Sequence, residues 1–326
     1  MTLEPILAAR ERLAAHLAPT PLVYSEPLGA WLKLETQQPT ASFKVRPALN
    51  GALVHRERAR RAGVLASSSG NFAQAVAWAA RQLALDAQVV MMGNSSPYKI
   101  AQTEALGAKV ILCGNTFDER WETTYRLERE TGRVLLHPYD SEETIAGDGT
   151  LGLELVEQLQ GGFTVLVPVS GGGLIAGIAT AVKLERPGVR VIGVQPEANA
   201  SMARSLQAGL RVNVGPVRTI ADALVASTPG ERTFRIAQEL VDRVVLVSEE
   251  EIARAVAELA WKQKIVVEPG GAVAVAALLA GKVSLEQKVV CVVSGGNVMP
   301  PTFLELCKTA YRDSGPESGP GPPSEA

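Results

Sequence analysis

Short β-branched, apolar runs alternate with helical patterns through most of this chain. Such alternation is typical of βαβ units, in which helices join parallel strands and cover the sheet. The sequence therefore predicts an α/β structure built on open parallel sheets. The predicted strands are Val64–Ser67, Gln88–Met92, Lys109–Cys113, Arg133–Leu136, Thr164–Val169, Arg190–Val194, Arg243–Val247 and Lys288–Val293.

Capping residues indicate where several helices begin or end. Ser96-Pro97 predicts the start of a helix over Tyr98–Leu106, because serine caps helices and proline suits their first turn. A helix over Phe117–Glu130 is predicted to close at Gly132. Ser248-Glu249-Glu250-Glu251 has the capping-box pattern and predicts a helix to about Lys264.

Length and composition restrict the class of protein. The chain has 326 residues, of which 46% are hydrophobic, so two domains with substantial cores are expected. A formal net charge of −2 provides no basic field for nucleic acid or an anionic membrane, which favours a small-molecule partner. Three widely spaced cysteines argue against a disulfide framework or a zinc site. With no signal-peptide pattern and no long apolar stretch, we expect a cytoplasmic protein.

Turns rich in serine and glycine follow three of the predicted strands. They are Ser67–Asn71, Ser170–Leu174 and Ser294–Asn297. The carboxyl ends of parallel strands meet at one edge of a sheet, where open α/β proteins bind their ligands. We therefore expect these turns to gather around a pocket.

The turn Ser170–Leu174 opens an apolar helix that begins near Ile175. Its glycines leave backbone N–H groups accessible, and the positive end of a helix attracts anions, so a phosphate could bind there. Tight packing is the alternative role for such a turn. The glycine spacing matches neither the dinucleotide-binding loop nor the ATP-binding loop.

Lys44 lies between the apolar residues Phe43 and Val45. An amine in an apolar pocket has a lowered pKa, and the neutral amine can form an imine with an aldehyde. For this tripeptide alone, a surface lysine is the simpler interpretation.

Taken in order, these segments resemble the fold-type II enzymes of pyridoxal 5'-phosphate (PLP), which share the architecture of tryptophan synthase β. The resemblance is strongest to the branch of threonine/serine dehydratases and serine racemases, and it extends from about Thr20 to Asn297. The matching segments are Thr20–Leu22, Lys33–Glu35, Ser42–Lys44, Ser68–Asn71, Ile145–Gly147, Gly149-Thr150, Thr219–Asp222 and Val267–Pro269.

The resemblance implies roles for individual residues. Lys44 matches the lysine that carries PLP as a Schiff base and moves the substrate α-proton, and Ser69 matches the residue that handles this proton on the opposite face in racemases. Ser294 matches a hydroxyl set against the pyridine nitrogen. The implied cofactor-binding residues are Phe43, Lys44, Asn71, Ser170, Gly171, Gly172, Gly173, Leu174, Glu268 and Ser294. The implied substrate-binding residues are Ser68, Ser69, Gly70 and Asn71.

The resemblance also implies the domain organisation. A small domain of residues 53–139, carrying the substrate-carboxylate loop, is inserted into a large PLP-binding domain of residues 1–52 and 140–312. The tail, residues 313–326, is rich in Gly, Pro, Ser and Glu and is expected to be disordered.

Some positions depart from the family pattern. Gln195 and Ser201 lie where several members carry carboxylates that bind a cation, and an amide and a hydroxyl are weaker ligands for a hard cation. We therefore predict no metal site, although Glu197 could bind a cation in a different geometry. Asp148 replaces a glutamine and Phe72 a histidine, which leaves the identity of the substrate open.

The predicted function is PLP-dependent dehydration and deamination of L-threonine or L-serine to a 2-oxo acid and ammonia. Serine racemisation and dehydration of 3-hydroxyaspartate are alternatives within the same branch. A β-replacement reaction is less favoured because Ile145–Thr150 and Thr219–Asp222 resemble the dehydratases. A catalytically silent PLP-binding or amino-acid-binding protein is the non-enzymatic alternative. Family members commonly form homodimers or homotetramers, and the same is expected here.

Overall fold

The computed structural model describes residues 1–284 and 286–313. The strands are β1 Leu22–Ser25, β2 Ala30–Leu34, β3 Val64–Ser67, β4 Ala87–Met92, β5 Lys109–Cys113, β6 Val134–Leu136, β7 Phe163–Pro168, β8 Arg190–Pro196, β9 Arg243–Val247 and β10 Lys288–Val293. The helices are α1 Glu4–Ala14, α2 Val45–Val54, α3 Arg56–Ala62, α4 Asn71–Gln82, α5 Pro97–Ala105, α6 Phe117–Thr131, α7 Glu142–Gln158, α8 Gly173–Glu185, α9 Ser201–Ala208, α10 Glu231–Leu240, α11 Glu249–Gln263, α12 Pro269–Leu279 and α13 Pro300–Asp313.

The described strands form two sheets. The larger sheet has the order β1-β2-β10-β7-β8-β9, and the smaller one has the order β5-β4-β3-β6. Every strand pair is parallel except β1 with β2. The predicted α/β class, with two open parallel sheets, is confirmed.

The predicted strands all occur, with ends that differ by at most two residues. The structure adds β1 and β2, which the sequence analysis missed. In β2 a charged residue, Lys33, interrupts the apolar pattern of Ala30–Leu34, yet its side chain is buried and pairs in register with Val292 of β10. A buried lysine needs partners from distant parts of the chain, so the local pattern does not indicate a strand.

Helix ends largely follow the predicted caps. Ser248 and Glu251 form the capping box at the start of α11, and Gly132 closes α6 in the left-handed conformation. Pro97 begins α5, but the Ser96 hydroxyl makes no capping hydrogen bond. Of the tail 313–326, the structure describes only Asp313, so the predicted disorder lies outside the described residues. None of the described helices has the length and apolar character needed to cross a bilayer.

Helices α7 and α8 pack closely through glycines. A Cβ at Gly177 of α8 would lie 2.5 Å from the backbone N of Gly149 and the carbonyl O of Ile145, both in α7. A Cβ at Gly152 of α7 would lie 2.8 Å from the Ala181 side chain. This close approach holds the N-terminus of α8, and the glycine turn before it, against α7.

Candidate active site

The turns that follow β3, β7 and β10 line one cavity of about 480 Å³. Every residue that the sequence analysis assigned to the cofactor or the substrate lies in the lining of this cavity. These residues are Phe43, Lys44, Ser68, Ser69, Gly70, Asn71, Ser170, Gly171, Gly172, Gly173, Leu174, Glu268 and Ser294. The fold therefore brings together groups from both sheets, as expected from the carboxyl edges of parallel strands.

Pairing between two loops places Lys44 beside Ser294. Ser42 forms an isolated antiparallel bridge with Gly295, and the Phe43 N–H donates to the Ser294 carbonyl at 3.0 Å. Ala41, which precedes the bridge, has a φ of 51°, a conformation uncommon for a residue with a Cβ. Lys44 is then the N-cap residue of α2.

The Lys44 amine is buried in a mostly apolar environment. Its Nζ donates to the Pro138 carbonyl at 2.6 Å and lies 4.7 Å from the centroid of the Phe43 ring. Burial lowers the pKa of Lys44, and the negative charge of Asp148 opposes this change. Burial also raises the pKa of Asp148 to about 7, with Lys44 opposing, and both Asp148 carboxyl oxygens lack hydrogen-bond partners in the described chain. A lysine with a lowered pKa is suited to act as a nucleophile or a base.

The glycine turn before α8 has a shape that side chains would prevent. Gly172, the N-cap of α8, has a φ of 98°, and a Cβ there would lie 2.8 Å from Met202 Cε and from Thr233 Oγ1. The Gly171 carbonyl accepts hydrogen bonds from the Gly230 N–H at 3.0 Å and from Thr233 Oγ1 at 2.7 Å. The turn is therefore fixed in place, with the N-terminus of a helix behind it to attract an anion.

The turn after β3 leads into α4, and its side chains are held by neighbouring loops. Ser69 Oγ accepts from the Met92 N–H at 3.3 Å and from the Ser95 hydroxyl at 2.8 Å. Gly70 is the N-cap of α4 and provides no side-chain cap, and its N–H donates to Ser68 Oγ at 3.2 Å. This leaves the N-terminus of α4 available to attract an anion such as a carboxylate.

Asn71 connects this turn to the two segments near the end of the chain. Its Nδ2 donates to Glu268 Oε1 at 2.5 Å, and its Oδ1 accepts from Asn297 Nδ2 at 2.9 Å. Glu268 is buried, and burial raises its pKa to about 7 against the opposing hydrogen bond from Asn71. A surface role for Glu268, which the sequence left open, is therefore wrong.

Several pocket residues were not found from the sequence, among them Ser95, Lys99, Arg120 and Tyr139. Ser95 follows β4 and Lys99 lies in α5, so both positions depend on how the smaller sheet faces the larger one. Arg120 lies on α6, in a charge-rich helix typical of a protein surface. No local pattern indicated that these residues share a cavity with Lys44.

The predicted weak cation ligands bond to each other. Gln195 Nε2 donates to Ser201 Oγ at 3.3 Å, and Gln195 Oε1 accepts from the Ala203 N–H at 3.0 Å. Across residues 1–284 and 286–313, no group of three or more His, Cys, Asp or Glu side chains is arranged to hold a metal ion.

Comparison with known proteins gives consistent relatives. The profile of the family described as "Pyridoxal-phosphate dependent enzyme" matches residues 13–295. The L-threonine ammonia-lyase of Thermotoga maritima is 43% identical over 91% of this chain and 76% of its own length. A crystal structure of the threonine deaminase from T.th. is 43% identical, with a TM-score of 0.86 over 92% of this chain and 99% of its own. Maize serine racemase is 33% identical, with a TM-score of 0.89 over 96% of this chain and 98% of its own. The chain therefore belongs to the pyridoxal-phosphate dependent enzymes of fold-type II, the family that its motifs resembled.

Proposed function

We propose that this protein is a PLP-dependent ammonia-lyase that converts L-threonine and L-serine into 2-oxo acids and ammonia. The observation that carries this proposal is the single cavity in which Lys44, Ser69, the glycine turn and Ser294 meet. Its relatives point to the same chemistry, because proteins that are 43% identical over at least 91% of the chain are an L-threonine ammonia-lyase and a threonine deaminase.

The lining of the cavity fits PLP. The turn Gly171–Gly173, where a Cβ at Gly172 would clash with its neighbours, suits a phosphate at the N-terminus of α8. The buried Lys44 amine suits the aldehyde, and the Ser294 hydroxyl suits the ring nitrogen. When bound, PLP supplies an electron sink for the negative charge left after the α-proton is removed.

The residues of the chain divide the remaining tasks. The turn Ser68–Asn71 binds the substrate carboxylate at the N-terminus of α4, where backbone N–H groups and the helix dipole favour an anion. The Lys44 amine, whose pKa is lowered by burial, takes the α-proton. Ser294 adds no negative charge beside the ring, which favours elimination over chemistry that needs a stronger electron sink.

Serine racemisation is a second candidate, because Ser69 also lines the cavity. Its hydroxyl is held by Ser95 at 2.8 Å, so it can exchange a proton with a second hydroxyl. Maize serine racemase is 33% identical to this chain. Chiral analysis of serine after incubation separates the two reactions: a racemase produces D-serine, whereas an ammonia-lyase produces pyruvate.

The test of the proposal is a substrate panel on purified protein supplied with PLP. We expect 2-oxo acid from L-threonine and L-serine, and none from the Lys44→Ala variant. Borohydride reduction followed by peptide mass analysis should locate PLP on Lys44. If the wild type and Lys44→Ala are equally silent on every β-hydroxy amino acid, the protein binds its ligands without turnover, and the proposal is wrong.

The wider organisation of the enzyme is also a proposal. Residues 53–139, which contain β3–β6, would form the smaller domain, inserted into the larger one. A homodimer or homotetramer is supported by Trp261, Val266 and Leu304, apolar side chains that are each more than half exposed. Reduced cysteines at 113, 291 and 307 favour action in the cytoplasm. Light scattering on the purified protein tests the assembly.

A further inference from the structure

A buried guanidinium in the cavity has no carboxylate partner. Arg120 of α6 lines the cavity with only 8% of its surface exposed. Its Nε has no hydrogen-bond partner in the described chain, and no salt bridge to its guanidinium occurs there. The contact that orients it is the Phe117 ring, whose centroid lies 4.9 Å from Arg120 Cζ.

The other charged groups of the cavity have partners. Lys99 forms a salt bridge with Asp222 at 2.5 Å, and Glu268 accepts a hydrogen bond from Asn71. The Lys44 amine donates to the Pro138 carbonyl and is influenced by the charge of Asp148. Arg120 therefore differs from these groups, and a buried charge without a partner is costly unless a ligand supplies one.

The geometry of the cavity separates Arg120 from the site proposed for the substrate α-carboxylate. That site is the turn Ser68–Asn71 at the N-terminus of α4, whereas Arg120 lies on α6. A guanidinium presents a planar fork of N–H donors that matches a carboxylate in two hydrogen bonds. The unpaired group is therefore suited to a second carboxylate on the same substrate.

Resting on the proposed ammonia-lyase function, we propose that Arg120 binds a side-chain carboxylate, so that the substrates include β-hydroxy amino acids of the 3-hydroxyaspartate type. The same elimination of the α-proton and β-hydroxyl, followed by hydrolysis, then gives oxaloacetate and ammonium. These two products contain all the atoms of the substrate, so no further reactant is required.

The first experiment compares kcat/KM for the threo and erythro isomers of L-3-hydroxyaspartate with kcat/KM for L-threonine. In Arg120→Gln the ratio for the preferred isomer should fall by about 100-fold, because truncating one partner of a buried charge pair typically has an effect of this size. Arg120→Lys keeps the charge without the fork and should lie between the two. Arg126→Gln, on the same helix but exposed and paired with Glu130, is the matched control and should keep the ratio.

A binding measurement provides a readout other than turnover. Succinate should bind to the PLP-loaded wild type at least about tenfold more tightly than butyrate, as measured by calorimetry, and Arg120→Gln should remove this preference. Circular dichroism of each variant shows whether it is folded. If Arg120→Gln proves unfolded, the succinate preference of the wild type and the Arg120→Lys ratio still decide the question.

The outcomes separate this inference from the proposed function. A wild type that deaminates threonine but neither accepts 3-hydroxyaspartate nor prefers succinate overturns the inference alone. Equal losses on all substrates in Arg120→Gln also overturn it, because they would place Arg120 at the α-carboxylate or in the fold. A wild type that is silent on threonine and serine but active on 3-hydroxyaspartate supports the role of Arg120 and contradicts the proposed substrates.

Discussion

The guanidinium of Arg46 contacts the carboxylate of Glu154 at two points, 2.5 Å from Nη1 to Oε1 and 2.9 Å from Nη2 to Oε2. Glu35 accepts from the same guanidinium at 2.8 Å, and Lys33 Nζ donates to Glu154 at 2.5 Å. Burial alone would lower the pKa of Arg46, but the two carboxylates outweigh it and raise the pKa. Because Arg46 follows Lys44 by two residues, this network fixes the start of the helix that carries the reactive amine.

Replacing Glu154 by Gln should destabilise the protein by about 3–5 kcal/mol, because two buried cations lose their shared anion. Urea unfolding of the protein measures this change. The matched control is Glu157→Gln, one helical turn away on α7, where the exposed Glu157 pairs with Arg10. An exposed pair contributes less than about 1 kcal/mol, so equal effects of the two variants would contradict a role for the buried network.

The stability of the wild type relative to Glu268→Gln should depend on pH. Burial raises the pKa of Glu268 to about 7 in the folded protein, from an ordinary value of 4.5. The folded state therefore holds this proton more tightly than the unfolded state, and its contribution to stability is lost as pH rises through about 7. Glutamine can still accept the Asn71 hydrogen bond and does not titrate.

The free energy of unfolding of the wild type should thus fall relative to that of Glu268→Gln by about 1–3 kcal/mol between pH 4.5 and 7.5. Urea unfolding without added PLP, at a series of pH values, measures this difference. A difference that is the same at every pH would show that Glu268 is not held protonated by its surroundings.

Gly172→Ala should weaken PLP binding by at least about tenfold. A Cβ at this position would meet Met202 Cε and Thr233 Oγ1 at 2.8 Å, and the φ of 98° disfavours any side chain, so the turn must change shape. Absorbance titration with PLP measures the affinity. Gly161→Ala is the control, because Gly161 has a φ of 79° with open space around it and lies outside the cavity lining. Equal losses of affinity would separate the effect from the glycine turn.

Gly177→Ala should destabilise the protein by about 2 kcal/mol or more. Alanine favours a helix by about 1 kcal/mol over glycine, but the added methyl would lie 2.5 Å from the α7 backbone and force α7 and α8 apart. Gly188→Ala is the control, because a Cβ there meets nothing within 4 Å. Thermal unfolding of both variants tests the expectation, and a Gly177→Ala protein as stable as Gly188→Ala would show that the helices can separate at little cost.

The outline of the cavity was predictable because short-range patterns determine it. Apolar runs such as Val64–Ser67 and Lys288–Val293 form strands at the predicted bounds, and the turns after them reach one sheet edge because the strands are parallel. Lys44, Asn71 and Ser294 therefore line the cavity as expected from motifs far apart in the chain.

What could not be predicted depends on partners distant in sequence. Lys33 is buried only because Glu154, 121 residues later, neutralises it, and this pairing makes Ala30–Leu34 acceptable as an internal strand. Likewise, Arg120 looks like a surface residue of α6, and only the placement of that helix over the cavity leaves its guanidinium buried.

The sequence by itself determined the α/β class, the family and the residues around the cavity, because periodicity and turn chemistry act over a few neighbouring residues. The tertiary structure alone decided the charge states and partners within the cavity. Burial raises the pKa of Glu268 and Asp148 and lowers that of Lys44, and the cost of a buried charge depends on which groups the fold brings within a few ångströms.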